Sequence, residues 1–406
     1  MALDFQQVRE QIKRLGENAP GRARQLSRQR EQALELLKGN ALDLEQLRQK
    51  VQLIAHNYDP NLRCARPVQV LTGAPEPLDS CFPAPALPPH ATILAADGSQ
   101  IAPDRHASVY YGLINVGAIQ MQLDTTHPPV TSVSSQLFYD EEIYTETGEI
   151  KPIGAMTDAR LALLRDLNER KRLAEIAAQV SAPVITFTDG PMELWGAKDV
   201  ESETEFQRSL DEYTAVLTHL SELQVATAGY VDKPAANLVV RLLEIALLPR
   251  DQLADAKKYN PLRGVMDIDL YRQLLGPGER SAVFAIQSRS AQHYRDQLAL
   301  HFFYLNVGRA DHPWLARVEI PAWVAGSREK LDALHAVLVG QCRIMGSRPY
   351  PYLLHRAHEA AVVTQEEKEQ VSQMIALELR QREVEVGEIS YKQSAKDLAG
   401  RTSYKK

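Results

Sequence analysis

Thr92-Ile93-Leu94-Ala95-Ala96-Asp97-Gly98-Ser99 is an apolar run that reaches an aspartate and breaks at once into glycine and serine. The composition predicts a strand, and Asp-Gly predicts a turn after it, so the strand would carry a carboxylate to its own C-terminal tip. The pattern repeats at Val184-Ile185-Thr186-Phe187-Thr188-Asp189-Gly190-Pro191. Val184–Thr188 lacks polar alternation, as a parallel or fully covered strand does. One Asp-Gly pair is ordinary turn chemistry; two on apolar strands suggest two carboxylates meeting over a hard cation.

Mg²⁺ and Mn²⁺ take oxygen ligands, commonly one or two carboxylates with water and phosphate completing the shell. Two such ions can activate a water and stabilise the leaving oxygen of a phosphodiester. Asp97 is the natural shared ligand, and Asp189 ends the next central strand. A third carboxylate is expected from the intervening helix over about 158–180, capped by Thr157 or Asp158, with Leu163, Leu164, Leu167, Ala174 and Ala178 inward. Glu169 is the candidate, twenty residues before Asp189 and on one side of the helical wheel with Ala162, Leu173, Ile176 and Val180. Asp166 is its nearest rival, and a solvated glutamate in the charged run Glu169-Arg170-Lys171-Arg172 is the bland alternative. Further on, Tyr350-Pro351-Tyr352-Leu353-Leu354-His355-Arg356-Ala357-His358-Glu359 predicts a helix that starts at Pro351. His355 and His358 lie three apart on it, suited to ligating a metal or positioning a water, and Arg356 to meeting a phosphate. A histidine on an apolar helix is more often a satisfied core residue.

Strand–helix alternation after an antiparallel opening predicts an α/β fold, a mixed sheet flanked by helices. Strands are expected at Ser108–Val116 and Ala118–Leu123 on either side of Gly117, at Val133–Tyr139, Val225–Val231, Ala282–Ile286, Leu300–Leu305 and Arg317–Ile320. Helices are expected at Phe206–Leu223, Asn237–Leu247, Lys330–Val339, Tyr352–Val363 and Gln365–Glu383. Residues 1–72 read as an N-terminal helical arm: two or three helices punctuated by Pro20-Gly21 and Gly39-Asn40, with Val8, Ile12 and Leu15, then Leu44, Leu47, Val51 and Ile54, at helical spacing. Such an arm packs on a partner, on a second copy of itself or on the main domain. Residues 73–90, with six prolines, form an extended linker or a surface-hugging loop; 91–385 form the main domain and 386–406 a basic tail. That tail could touch nucleic acid electrostatically or stay solvated.

The 406 residues carry a net charge of −6, which argues against a globally basic nucleic-acid coat but not against a locally basic groove. Three cysteines in no metal spacing, no basic-then-apolar leader and no apolar stretch of spanning length predict a reduced cytoplasmic protein with no membrane partner. The chain lacks GxxxxGK[ST] and GxGxxG, so any nucleotide-driven motor would be a separate protein.

The ordered set of pieces resembles the NurA nucleases, partners of HerA-type DNA translocases. The set comprises Ala96-Asp97-Gly98-Ser99, the helix with Arg160 and Glu169 before Asp189-Gly190, and Gly229-Tyr230-Val231-Asp232-Lys233-Pro234. It continues with Pro277-Gly278-Glu279-Arg280-Ser281, Phe303-Tyr304-Leu305, Arg317-Val318-Glu319-Ile320-Pro321 and Tyr350-Pro351 with Ala357-His358, and spans about 91–364. The resemblance implies an RNase H-like core and Mn²⁺- (or Mg²⁺-) dependent cleavage of DNA by a deoxyribonuclease, with 5′–3′ exonuclease and single-strand endonuclease action. It also implies a role in end resection and repair, a homodimer, and docking on a HerA-like hexameric ATPase. It assigns metal-ligand roles to Asp97, Glu169 and Asp189 and the C-terminal histidine role to His358. Lys233, Arg280, Arg317 and Arg356 are candidate DNA contacts. Two departures stand out: Pro191 follows the second Asp-Gly, where a shift of the Asp189 backbone would be felt, and Asp232 precedes Lys233. The competing reading is a non-catalytic clamp or adaptor for a translocase, which would bind without metal and be indifferent to Asp97→Ala.

Overall fold

The computed structural model describes residues 4–39, 43–69, 75–104, 109–123, 127–139, 158–194 and 203–383. Thr157, Ser108 and the basic tail lie outside them. Among the described residues nine strands form one mixed sheet in the order β1 (Cys64–Pro67), β7 (Phe284–Gln287), β8 (Leu300–Asn306), β9 (Leu315–Pro321), β6 (Ala226–Asp232), β5 (Val184–Asp189), β2 (Thr92–Ile101), β3 (Gly112–Gln122) and β4 (Val130–Phe138), flanked by helices. The chain gathers into two compact units that interleave in sequence: 1–87 with 190–193 and 228–350, and 88–189 with 194–227 and 351–406.

The second unit holds β2 (Thr92–Ile101), β3 (Gly112–Gln122), β4 (Val130–Phe138) and β5 (Val184–Asp189). β2–β3–β4 is an antiparallel meander, and β5 returns parallel to β2 after helix α3 (Asp158–Ala177). That is the topology the RNase H-like expectation requires. Ile93, Leu94, Ala95 and Ala96 are all buried. They need no polar alternation because helices cover both faces of β2: α3 on one, α9 (Tyr352–Ala361) on the other. A further helix of this unit, α4 (Glu203–Glu222), lies on α3, and α10 (Gln365–Gln381) lays Val371, Ile375 and Leu379 on Ile101, Val109 and Leu113.

Two expected turns are not turns. β2 runs on through Gly98 to Ile101, and β3 runs straight through Gly117. In both strands the glycine makes room for a helix. A Cβ on Gly98 would stand 2.6 Å from Arg165 Cγ and 2.9 Å from Glu169 Oε1. A Cβ on Gly117 would stand 2.6 Å from the Ala357 carbonyl and 2.8 Å from Ala361 N. Asn115 and Ser99 tie α9 down from the same two strands: Asn115 Nδ2 donates to Ala361 O at 2.8 Å and the Ser99 hydroxyl donates to the same oxygen.

The first unit holds β1 (Cys64–Pro67), β6 (Ala226–Asp232), β7 (Phe284–Gln287), β8 (Leu300–Asn306) and β9 (Leu315–Pro321), paired antiparallel as β1–β7–β8–β9–β6. Here the predicted arm differs. Helix α1 (Phe5–Lys38) is continuous through Pro20. Its first half is exposed, so water can satisfy the Gly16 carbonyl that Pro20, lacking an N–H, leaves without a helical partner. Helix α2 (Leu44–Asn57) buries Leu47, Val51 and Ile54, and β1 then enters the sheet. The proline-rich stretch hugs the unit: Phe82 N and O exchange hydrogen bonds with Arg280, and Leu78 is buried. α5 (Leu238–Leu247), α6 (Asp267–Leu274), α7 (Ala322–Ala325) and α8 (Arg328–Ile344) complete it. Among the described residues no helix is long and apolar enough to cross a membrane.

Candidate active site

Asp97 lies in mid-strand, and its Oδ2 accepts from His358 Nδ1 at 2.6 Å. The pleat sets the directions. Asp97 is aligned with Gly117, on the face that α9 covers, whereas Gly98 points to α3. The parallel ladder aligns Ala96 with Thr188, so Asp97 and Asp189 are the next residues on neighbouring strands, about 5 Å apart in backbone terms. Asp189 is the last residue of β5 and is exposed. Pro191 does not pull it out of the strand. Gly190 turns with φ +85, a conformation other residues rarely adopt, and its N–H donates to Tyr230 O.

Glu169 arrives from α3, one position along from Asp97, in the space that Gly98 leaves. It is buried, with only 5% of its surface exposed. Burial, together with the charges of Asp166 and Asp97, holds its carboxyl well above the usual carboxylate range, against the pull of Arg165 and Arg170. Arg165 Nε stands 3.6 Å from Glu169 Oε1, while Arg165 Nη2 donates to Asp166 at 2.9 Å. Burial likewise raises Asp166, more than Arg165 lowers it. Beneath them the buried Arg170 donates to Thr227 Oγ1 at 3.0 Å.

Asp97 and His358 thus pair on the α9 side of β2, Asp189 stands at the matching position of β5, and Glu169 approaches the next residue of β2 from the α3 side. As the side chains lie, no three His, Cys, Asp or Glu groups among the described residues converge as ligands would. The donor set nevertheless fits a hard divalent ion. It offers carboxylate oxygens and one imidazole, and the mutual repulsion of Asp97, Asp166 and Glu169 is what a cation would relieve. His355 is not part of the group; its Nε2 faces Glu359 at 3.4 Å on its own helix.

The four predicted phosphate contacts separate. Arg280 is buried on Glu76 at 3.3 Å and over the Phe82 ring at 4.0 Å. Arg317 is buried on Glu319 at 2.8 Å. Both guanidinium groups hold the fold, which corrects their reading as DNA contacts: their donors face carboxylates within the chain. Arg356 is exposed but paired with Glu359 at 2.5 Å. Lys233 is exposed, with its ammonium 3.6 Å from the centroid of Trp314. Trp314 was missed, since nothing in its local sequence marks it; only the pairing of β6 with β9 sets it beside Lys233.

Three comparisons bear on this arrangement. The NurA domain profile matches residues 91–363. No curated protein sequence matches. Among solved structures, the chain is similar to the NurA nuclease from Sulfolobus solfataricus at 15% identity and TM-score 0.45, covering 75% of this chain and 87% of that one. It is similar to the catalytic domain of human endonuclease V at 12% identity and TM-score 0.31, covering 84% and 100%.

Proposed function

The chain belongs to the NurA domain family of nucleases, and from that premise we propose that it is a metal-dependent deoxyribonuclease whose site is built on Asp97. The observation that carries this reading is that the Asp97–His358 pair and the buried Glu169, admitted by Gly98, stand at consecutive residues of β2. Asp97, Asp189 and Glu169 are the residues that would hold Mn²⁺ or Mg²⁺. Such an ion supplies Lewis-acid charge at the scissile phosphate, singly or as a pair.

The chain's own residues do the rest. His358 Nδ1–H fixes one oxygen of Asp97 and leaves the other free to bind. Its imidazole side chain is 63% exposed, so water reaches the ring. Arg165, against Glu169 and Asp166, spreads positive charge where phosphate negative charge arrives. Exonuclease action on DNA ends, in resection and repair beside a HerA-like hexameric ATPase, and assembly as a homodimer follow from family membership as further parts of this proposal. The exposed apolar side chains Phe5, Ile12 and Leu15 on α1 support an association surface, and the absence of a nucleotide-binding motif supports a separate motor.

The test is cleavage of end-labelled single- and double-stranded DNA by the wild type and by Asp97→Ala, with Mn²⁺, Mg²⁺ or EDTA, with and without the ATPase. Metal-dependent cutting lost in the variant supports the site. Equal cutting by the variant removes Asp97 from it, and binding without cutting under every condition supports the clamp instead.

A further inference from the structure

The first unit carries a second feature that the carboxylate site does not use. At the ends of β6 and β9 lies a cavity of about 220 Å³ lined by Lys233, Arg272, His312, Pro313 and Trp314. Its walls are fixed from below. Asn306 is buried; its Oδ1 accepts from Gly308 N at 3.0 Å and Trp314 N at 3.1 Å, and its Nδ2 donates to Leu275 O at 2.8 Å. A side chain on Gly308 would overlap His312 O and Trp314 N, so the turn closes only with glycine there. On the other side Asp232 Oδ1 accepts from the Trp314 indole N–H at 2.7 Å. Lys233, a non-glycine residue held at φ +42, keeps its ammonium over the ring. Backbone and edge of the indole are anchored while the ring stays half-exposed.

The chemistry around the ring is cationic. Lys233 and Arg272 are exposed, and His312 sits with its ring 6.0 Å from that of Trp314. Asp232 offsets one charge, and Asp269, on the same helix as Arg272, is paired with Arg30 at 2.8 Å. A rigid half-exposed indole with two cations beside it suits a ligand that is flat at one end and anionic at the other. A nucleobase with its adjoining phosphate has that form. In a duplex both base faces are buried in the stack, so only an unpaired strand can offer one.

We propose that Trp314, Lys233, Arg272 and His312 form a docking point for single-stranded nucleic acid. One base stacks on the indole in place of the Lys233 ammonium, which swings to the adjoining phosphate and holds it with Arg272. The inference rests on the nuclease reading above and adds a place where an unpaired strand is gripped.

The experiment is fluorescence anisotropy of labelled oligothymidylate and of a labelled duplex with the full chain in EDTA, where nothing is cut. Trp314→Ala is expected to weaken single-strand binding by roughly tenfold, within the usual range for one stacked base, with Trp314→Phe keeping most of the affinity. Lys233→Ala with Arg272→Ala should lower the slope of log affinity against log salt by about 1.4 for two phosphate contacts. Duplex binding should barely move. Unchanged single-strand binding by Trp314→Ala, or an equal loss for the duplex, overturns the docking point. Asp97→Ala, run alongside, separates the two proposals. If it stops cutting while Trp314→Ala binds normally, only the docking point fails. If it cuts normally while Trp314→Ala loses the single strand, the docking point stands and the Asp97 site falls.

Discussion

Glu169 in the second unit and Asp267 in the first are both buried carboxylates, but their surroundings are opposite. Asp267 accepts from Val239 N at 3.0 Å, Val240 N at 2.8 Å and the Tyr304 hydroxyl at 2.6 Å. Glu319 is met in the same way by Arg317 and by Met192 N at 2.9 Å. Glu244 takes Arg241 at 2.7 Å and Leu262 N at 3.0 Å. Glu169 instead has Asp97 and Asp166 for neighbours and Arg165 beyond hydrogen-bond reach at 3.6 Å. The first unit's buried acids are satisfied by groups of the chain, and they hold the fold. Glu169 is buried beside two like charges that Arg165 and Arg170 only partly offset, which costs folding energy and suits a site that waits for a cation.

The largest effect expected from breaking this contrast is on cleavage. Asp97→Ala and Glu169→Gln should each lower metal-dependent cutting by roughly 10³-fold, since several kcal/mol of charge stabilisation are lost. Stability should move the other way at Glu169: without metal, urea unfolding of Glu169→Gln should show a midpoint equal to or above the wild type. Added Mn²⁺ should raise the wild-type midpoint and leave the variant's unchanged. A lower midpoint in metal-free buffer would make Glu169 a structural acid like the others.

Glu319→Gln should do the reverse, costing about 3 kcal/mol by stranding the buried Arg317 charge. Its signature is a lowered urea midpoint at any metal concentration.

Next come the glycines. Gly98→Ala drives a methyl into Arg165 and Glu169, and Gly117→Ala drives one into the backbone of α9; each should cost about 2 kcal/mol, and Gly98→Ala should lose cutting as well. Gly190→Ala meets nothing within 4 Å and pays only for its positive φ, about 1 kcal/mol. Urea midpoints rank the three.

Acid gives the smallest net effect because the first unit's buried groups oppose one another. Burial pushes His301 and His335 each down to about 4. Between about pH 6.5 and 4 the unfolded chain therefore binds protons that the folded chain refuses, and stability falls as pH drops. Asp267 is raised to about 6 by burial, so its folded form takes a proton first and stability rises over the same descent. In the first unit two losses stand against one gain, while the raised Glu169 and Asp166 of the second unit add gains over the same descent; denaturation at pH 7, 5.5 and 4.5 should show a small net slope, and His335→Gln should remove one of the losses.

Much of the sheet is legible in the sequence. Val184–Thr188 and Ile93–Ala96 lack charged residues because helices cover both their faces, and α2 buries Leu47, Val51 and Ile54 at the spacing that predicts it. β1 is not legible. Cys64-Ala65-Arg66-Pro67 is a short edge strand whose partner lies more than two hundred residues away in β7. Nor is the burial of Arg280 and Arg317, since a sequence shows a charge but not the carboxylate that will neutralise it.

The two Asp-Gly pairs divide what each level decides. The sequence by itself determines that Asp97 and Asp189 follow apolar strands and that Glu169 lies on the helix between them, because apolar content and helical period are local properties of the chain. It cannot say what each glycine is for. Glycine serves equally where φ must be positive and where a side chain would collide with something distant in sequence. Gly190 is the first case and turns the chain; Gly98 and Gly117 are the second, inside uninterrupted strands, and which case applies is set by the helices packed against them.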